Sequence, residues 1–351
     1  MKFKLLLAAL LVCALAAGVR AQNNSPQQDS ATFDADGTAH ITRVVPVPDT
    51  VSAEGQKWLR SLENTGHGTQ TLAERRAGLE AWLARGSADA RKHFAVNIEK
   101  QTIGGVATDV ITPLETPAAH RGLVLINLHG GGFNGDSGSQ IEGVPIAYLA
   151  KMKVVGVYYR LAPENPFPAA VDDTIAVYKE LLKTHKPQEI GIFGTSAGAI
   201  LSAEVAVRLK QMKMPLPAAI GFFSGLADFS RPGDSRQLFT LNGLPGDLAP
   251  TYPNSVSDEQ YVGKTDRRDP VLSPLFADLH GMPPTLLVTG TRDMLLSATS
   301  IYHLALLEAG VDARLVVFEA MPHAFWYHFD LPETREALEL MAKFFDEKVG
   351  K

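Results

Sequence analysis

The stretch Ile190-Gly191-Ile192-Phe193-Gly194-Thr195-Ser196-Ala197-Gly198 decides the fold. A short apolar run ends in a G-x-S-x-G pentapeptide, and Ala197 to Met212 continues with a helical pattern. The pentapeptide alone arises by chance in many chains. A strand, the pentapeptide and a helix in succession is what a nucleophile elbow requires. The turn is sharp, so the residues two before and two after the serine must be small; Gly194 and Gly198 are. The hydroxyl of Ser196 then stands at the strand tip, beside a helix N-terminus whose unpaired N–H groups favour developing negative charge.

Outward from this corner, strand-like and helix-like segments alternate. Phe94–Ile98 and Val106–Ile111 read as a hairpin. Apolar runs at Leu123–Leu128, Val154–Tyr159, Ala219–Phe223, Thr285–Val288 and Leu315–Phe318 read, with Ile190–Phe193, as buried parallel strands. Helical patterns at Val171–Thr184, Leu295–Ala309 and Glu333–Lys348 lie between or after them. Repeated βα units predict an α/β fold, a mostly parallel doubly wound sheet with helices on both faces. Residues 94–351 are expected to form this domain. Residues 46–93, with Trp58, Leu59, Leu62, Leu79, Trp82 and Leu83 at helical spacing, are expected as N-terminal cap helices. Residues 229–268, rich in Pro, Gly, Asp and Ser, are expected as an insertion completing the cap over the carboxyl ends of the strands.

The N-terminus is read separately. Lys2 and Lys4, the apolar run Leu5–Ala17 and the small residues of Val19-Arg20-Ala21 have the pattern of a secretory signal peptide spanning 1–21. The apolar run is short for a membrane span, so export to the periplasm or outside the cell, without stable membrane insertion, is the expectation. Residues 22–45 read as a flexible polar leader. Cys13 is the single cysteine and falls inside the signal, so the mature chain has neither disulfides nor a catalytic thiol. The chain has 33 basic and 38 acidic side chains, a net charge of -5. Losing three cations, Lys2, Lys4 and Arg20, takes this to -8. Scattered basic residues and a negative balance argue against nucleic acid as a partner. The histidines, His67, His93, His129 and His323 among them, lack H-E-x-x-H spacing, so no metal and no cofactor are implied.

A serine nucleophile needs a base, an orienting acid and an oxyanion hole. His129-Gly130-Gly131-Gly132-Phe133 follows the strand Leu123–Leu128 directly. Its glycines let backbone N–H groups turn toward a ligand, and no Lys-Ser/Thr follows to make it a phosphate loop. Gly131 and Gly132 are the expected oxyanion donors, joined by Ala197. Asp293, after the strand Thr285–Val288, is the candidate acid; an Asp there taken alone is more often an N-cap for the helix that follows, and its place in the chain order favours the acid. His323, after the last strand, is the candidate base and is preferred to His328, which lies farther into the next segment. Phe133, Phe222, Phe223, Trp58 and Trp82 are candidates for an apolar substrate pocket. Arg160 and Glu164 are read as structural contacts.

With these pieces together, the chain resembles the bacterial hormone-sensitive lipase family of α/β hydrolases, also called esterase family IV. The resemblance rests on His129–Phe133, Tyr159-Arg160-Leu161-Ala162-Pro163-Glu164, Gly194–Gly198, Asp269-Pro270 with Ser273-Pro274, and the order Ser196, Asp293, His323. Thr195 precedes the nucleophile where many members carry Asp, which resembles the GTSAG subgroup. The resemblance implies an α/β-hydrolase fold, a cap of N-terminal helices plus an insertion, and a serine esterase acting on small-molecule esters of short to medium acyl chains. Removal of acetyl groups from exported polysaccharide or xenobiotic esters, lactonase or amidase chemistry with the same triad, and ligand binding on a hydrolase scaffold are the alternatives. Oligomeric state stays open, a homodimer included.

Overall fold

The computed structural model describes residues 29–62, 70–231, 233–248 and 256–351. The signal segment 1–21, the first part of the leader and two pieces of the insertion lie outside the described residues. Two compact units divide at Pro46 and Val47. In the first, β1 (Ser30–Phe33) pairs antiparallel with β2 (Ala39–Thr42). The stretch read as a flexible leader, 22–45, thus holds a hairpin between Ser30 and Thr42. Asp36-Gly37 supplies the turn, with Gly37 at φ +88°, and the flanking tetrapeptides are β-forming.

The second unit begins with α1 (Ala53–Ser61) and α2 (Leu72–His93), followed by the hairpin β3 (Val96–Ile103) and β4 (Val106–Pro113). Alternation then sets in: β5 (Val124–Leu128), α3 (Ser139–Ala150), β6 (Lys153–Val157), α4 (Ala169–Leu181), β7 (Ile190–Thr195), α5 (Ala197–Gln211) and β8 (Ala219–Phe223). The long crossover after β8 holds the short α6 (Ser235–Leu238) and α7 (Val256–Val262). It leads to β9 (Thr285–Gly290), α8 (Leu296–Glu308), β10 (Ala313–Phe318) and α9 (Pro332–Lys348).

The eight strands lie in the order β10-β9-β8-β7-β5-β6-β4-β3. All neighbours from β10 to β6 are parallel, and β4 and β3 join antiparallel at one edge. Every residue of β5, β7, β8 and β9 is buried. Such strands are covered on both faces, which is why they read as unbroken apolar runs. Side chains of α4, α5 and α8 pack on one face (Val171, Ile175, Leu201, Tyr302). Those of α3 and α9, with α1 and α2 against them, pack on the other (Ile141, Val144, Leu338, Phe345). The expected α/β hydrolase architecture is present.

Helix α3 does not appear among the segments read from the sequence. It contains Gly143 and Pro145, and most of its residues are buried. A helix apolar on nearly all sides has no stripe to recognise. Helix α2 is announced by a capping box, Thr71 Oγ1 accepting from Glu74 N while Glu74 accepts from Thr71 N. Helix α1 is tied to α9 through Glu333, whose carboxylate accepts from Ser52 N at 2.7 Å and Ser52 Oγ at 2.9 Å. Among the described residues no helix is long and apolar enough to cross a membrane.

Candidate active site

Strand β7 ends at Thr195 and α5 starts at Ala197, so Ser196 alone makes the corner. Its backbone sits at φ 60°, ψ -120°, a conformation that typically costs a non-glycine residue about 1–3 kcal/mol. The corner is held by its neighbours: Ser196 N donates to Phe223 O at 2.9 Å, and Ile200 N donates to Ser196 O at 3.1 Å. The flanking glycines are needed for space. A Cβ on Gly194 would stand 2.2 Å from Leu128 O, and one on Gly198 1.7 Å from the same oxygen.

That oxygen belongs to the end of β5, where the glycine loop begins. His129 Nδ1–H donates to Gly130 O at 2.8 Å, and the Tyr159 ring stacks on the imidazole at 4.1 Å while its hydroxyl donates to His129 O at 2.7 Å. Gly131 and Gly132 take φ +114° and +65°. A Cβ on Gly131 would meet Gly135 O at 2.1 Å, so no other residue fits. The loop lies against Ser196: a Cβ on Gly130 would be 3.3 Å from Ser196 Cβ. The N–H groups of Gly131 and Gly132 find no acceptor among the described residues. Both glycines and Ser196 are partly exposed, whereas Gly130 and Phe133 are buried.

Because β7, β8, β9 and β10 are parallel neighbours, the loops after β7, β9 and β10 leave from one edge of the sheet. Asp293 and His323 meet there: Asp293 Oδ1 lies 3.0 Å from His323 Nδ1. The carboxylate is fully buried and amply supplied with donors. Leu295 N reaches Oδ1 at 2.9 Å, Thr289 Oγ1 reaches Oδ2 at 3.0 Å, and Ser224 Oγ also donates to Oδ2. Burial pushes the Asp293 pKa up, but His323 and the hydrogen bonds from His323, Ser224 and Leu295 outweigh it and hold the group below its ordinary value. With Nδ1 turned to the carboxylate, Nε2 is the ring nitrogen of His323 left to face another partner. Asp293 thus combines two readings of the sequence, since its contact with Leu295 N also shapes the entry to α8.

The sequence did not mark Ser224 and Thr289, which hold Asp293, Glu142 and Trp326, which bond Thr195, or Asn127, which bonds Glu142. The signal was a polar residue at the carboxyl end of a strand, or in an otherwise apolar helix. Arg160 and Glu164 make the structural contacts read for them. Arg160 pairs with Asp173 at 2.9 Å. Glu164 takes two bonds from Arg76, which also donates to Asn134 O and Ala162 O, so α2 is fastened beside the glycine loop.

The aromatic pocket candidates fall in three places. Phe222 and Phe223 are wholly buried and point to opposite faces of β8, one in each core layer. Phe133 is buried face to face on Tyr261, with centroids 3.4 Å apart. Trp58 and Trp82 line a separate cleft of about 790 Å³ with Arg85, Tyr327, His328 and Phe329, and none of Ser196, Asp293, His323, Gly131 or Gly132 lines it.

The same cleft explains why Asp293 engages His323 and not His328. The His328 ring packs on Trp58 at 4.5 Å and Trp82 at 5.9 Å. Burial drives its pKa from the ordinary 6.5 down to about 4, opposed by Asp330. The unfolded chain therefore binds the extra proton first as pH falls. Stability from the neutral ring is complete above 6.5 and lost as pH drops through 4, on the order of 3 kcal/mol. In His328→Asn the thermal midpoint should fall less between pH 7 and pH 4 than in the wild type; equal falls would show that this ring does not set the acid limb.

Comparison with known proteins agrees with the fold. A family profile described as the alpha/beta hydrolase fold matches residues 125–327. An acetyl-hydrolase of Streptomyces hygroscopicus is 34% identical over 241 residues, 67% of this chain and 79% of that protein. An esterase of Acinetobacter venetianus is 30% identical over 236 residues, 63% and 74% of the two chains. Among solved structures, an esterase superposes with a TM-score of 0.76 at 32% identity, over 88% of this chain and 98% of that one. An esterase from the bacterial hormone-sensitive lipase family gives 0.71 at 29% identity, over 84% and 95%.

Proposed function

The chain belongs to the α/β-hydrolase family, among its hormone-sensitive-lipase-like carboxylesterases, and we propose that it hydrolyses esters of short to medium acyl chains through Ser196, His323 and Asp293. The observation that carries this reading is the buried, fully solvated-by-donors Asp293 on His323 Nδ1, at the sheet edge where the strained Ser196 turns into α5. His323 takes the Ser196 proton as Oγ attacks the ester carbonyl. The oxyanion rests on the N–H groups of Gly131, Gly132 and Ala197, each such donor being typically worth about 2.7–4 kcal/mol. His323 then protonates the leaving alcohol, and water repeats the cycle on the acyl-enzyme.

The test is fluorophosphonate labelling with mapping of the modified peptide, together with a chain-length series of p-nitrophenyl esters. Label on the peptide containing Ser196 and fastest turnover on acyl chains of about two to eight carbons, the size a capped pocket holds, are the expected results. Label elsewhere, or a maximum on long chains, would overturn the reading. The similarity to an acetyl-hydrolase supports acetyl esters as substrates within that range. The N-terminal pattern ending at Ala21 supports hydrolysis outside the cytoplasm.

A further inference from the structure

Thr195 is the last residue of β7, directly before the nucleophile, and its side chain is buried. Its hydroxyl serves two partners. It donates to Glu142 Oε1, and it accepts from Trp326 Nε1 at 3.1 Å. Glu142 reaches in from α3, also fully buried, and its other oxygen accepts from Asn127 Nδ2 at 3.0 Å. These partners come from different parts of the site. Asn127 lies on β5, two residues before His129 opens the glycine loop. Trp326 lies three residues after His323. One hydroxyl and one carboxyl therefore join the carboxyl ends of β7 and β5 to the turn that follows His323.

Such a cluster is an expensive way to fill a core. Burial raises Glu142 to about 7, and a buried carboxyl is often no better for stability than an apolar side chain of similar volume. What it supplies is direction. The Thr195 hydroxyl can satisfy the carboxyl and the indole together in only one rotamer, which fixes the spacing between β7 and the His323 loop.

We infer that Thr195 is a positioning residue for the proposed ester hydrolysis, the hub through which Glu142 and Trp326 hold the nucleophile corner, the glycine loop and the His323 loop in register. This rests on the reading of Ser196 and His323 as nucleophile and base. The test compares Thr195→Val, Thr195→Ser, Trp326→Phe and the Thr195→Val/Trp326→Phe double variant. Each is followed by kcat and KM on p-nitrophenyl butyrate, by the rate of fluorophosphonate labelling and by thermal unfolding. A misplacement of about 1 Å can cost about 100-fold in rate, so Thr195→Val and Trp326→Phe should each lose at least about 10-fold in kcat and labelling rate, with KM within about twofold. Thr195→Ser, which keeps the hydroxyl, should stay within about threefold of wild type, and the double variant should be little slower than the worse single one, because both break the same link. Losses that multiply in the double variant, a Thr195→Ser as slow as Thr195→Val, or an unchanged kcat in Trp326→Phe would overturn the inference. If Thr195→Val does not fold, Trp326→Phe and Thr195→Ser decide it alone. A wild-type protein that neither hydrolyses esters nor takes the label would instead fail the parent reading.

Discussion

Replacing Ser196 with alanine is expected to lower kcat for p-nitrophenyl butyrate by about 10⁶-fold and to abolish fluorophosphonate labelling, while leaving the fold intact. The fold should survive because alanine accepts the same φ of 60° at no greater strain, and the corner's bonds to Phe223 O and from Ile200 N are backbone bonds. The rate should collapse because His323 and Asp293 act only through that oxygen. Asp293→Asn is the sharper companion. An amide in place of the carboxylate would present N–H to His323 Nδ1 and favour the wrong tautomer, a change that costs about 10⁴-fold in a comparable triad. It would also weaken the bonds from Ser224, Thr289 and Leu295, so its thermal midpoint should fall where that of Ser196→Ala does not. Labelling that persists in Ser196→Ala, or Asp293→Asn activity within a hundredfold of wild type, would remove these residues from their roles.

Gly198→Ala should be the most damaging glycine-to-alanine change among the described residues. The new Cβ would lie 1.7 Å from Leu128 O, 2.6 Å from Leu128 C and 3.0 Å from His129 O. These are backbone atoms of β5 and of the glycine loop, held between β6 and β7, so they cannot swing aside as a side chain would. Overpacking a core commonly costs about 1–3 kcal/mol where neighbours can shift; here they cannot, and a loss above about 4 kcal/mol is expected. Against a typical total stability of about 5–15 kcal/mol, that should appear as a large drop in thermal midpoint or as insoluble protein. Gly78→Ala is the control. It lies on the exposed side of α2 with nothing within 4 Å of the added methyl, and it should stabilise by up to about 1 kcal/mol through helix propensity. A Gly198→Ala protein that melts within a few degrees of wild type would contradict the geometry of the elbow.

The parts of this protein that could be read from the chain are those governed by local rules. The central strands are buried on both faces, so β5, β7, β8 and β9 stand out as apolar runs. The pentapeptide and the glycine loop stand out because a Cβ at Gly194, Gly198 or Gly131 would strike backbone atoms. The order of acid and base followed once the strands were placed. Local rules failed in definite ways. Helix α3 has no polar face to mark its period. The hairpin at residues 30–42 was hidden in a polar stretch. Phe222 and Phe223 look like pocket aromatics in sequence, but alternation along β8 sends one into each core layer.

The sequence by itself determined that a strand would turn sharply into a helix at Ser196, that β and α segments would alternate around it, and that an acid and a histidine would follow at later strand ends. These are consequences of backbone sterics and short-range periodicity, which act over a few residues. Only the tertiary structure decided which polar groups complete the site. Ser224 reaches Asp293 across 69 positions, Glu142 reaches Thr195 across 53, and Trp326 reaches Thr195 across 131. Those meetings depend on strand order and register, which bring remote residues together only when the whole sheet is assembled.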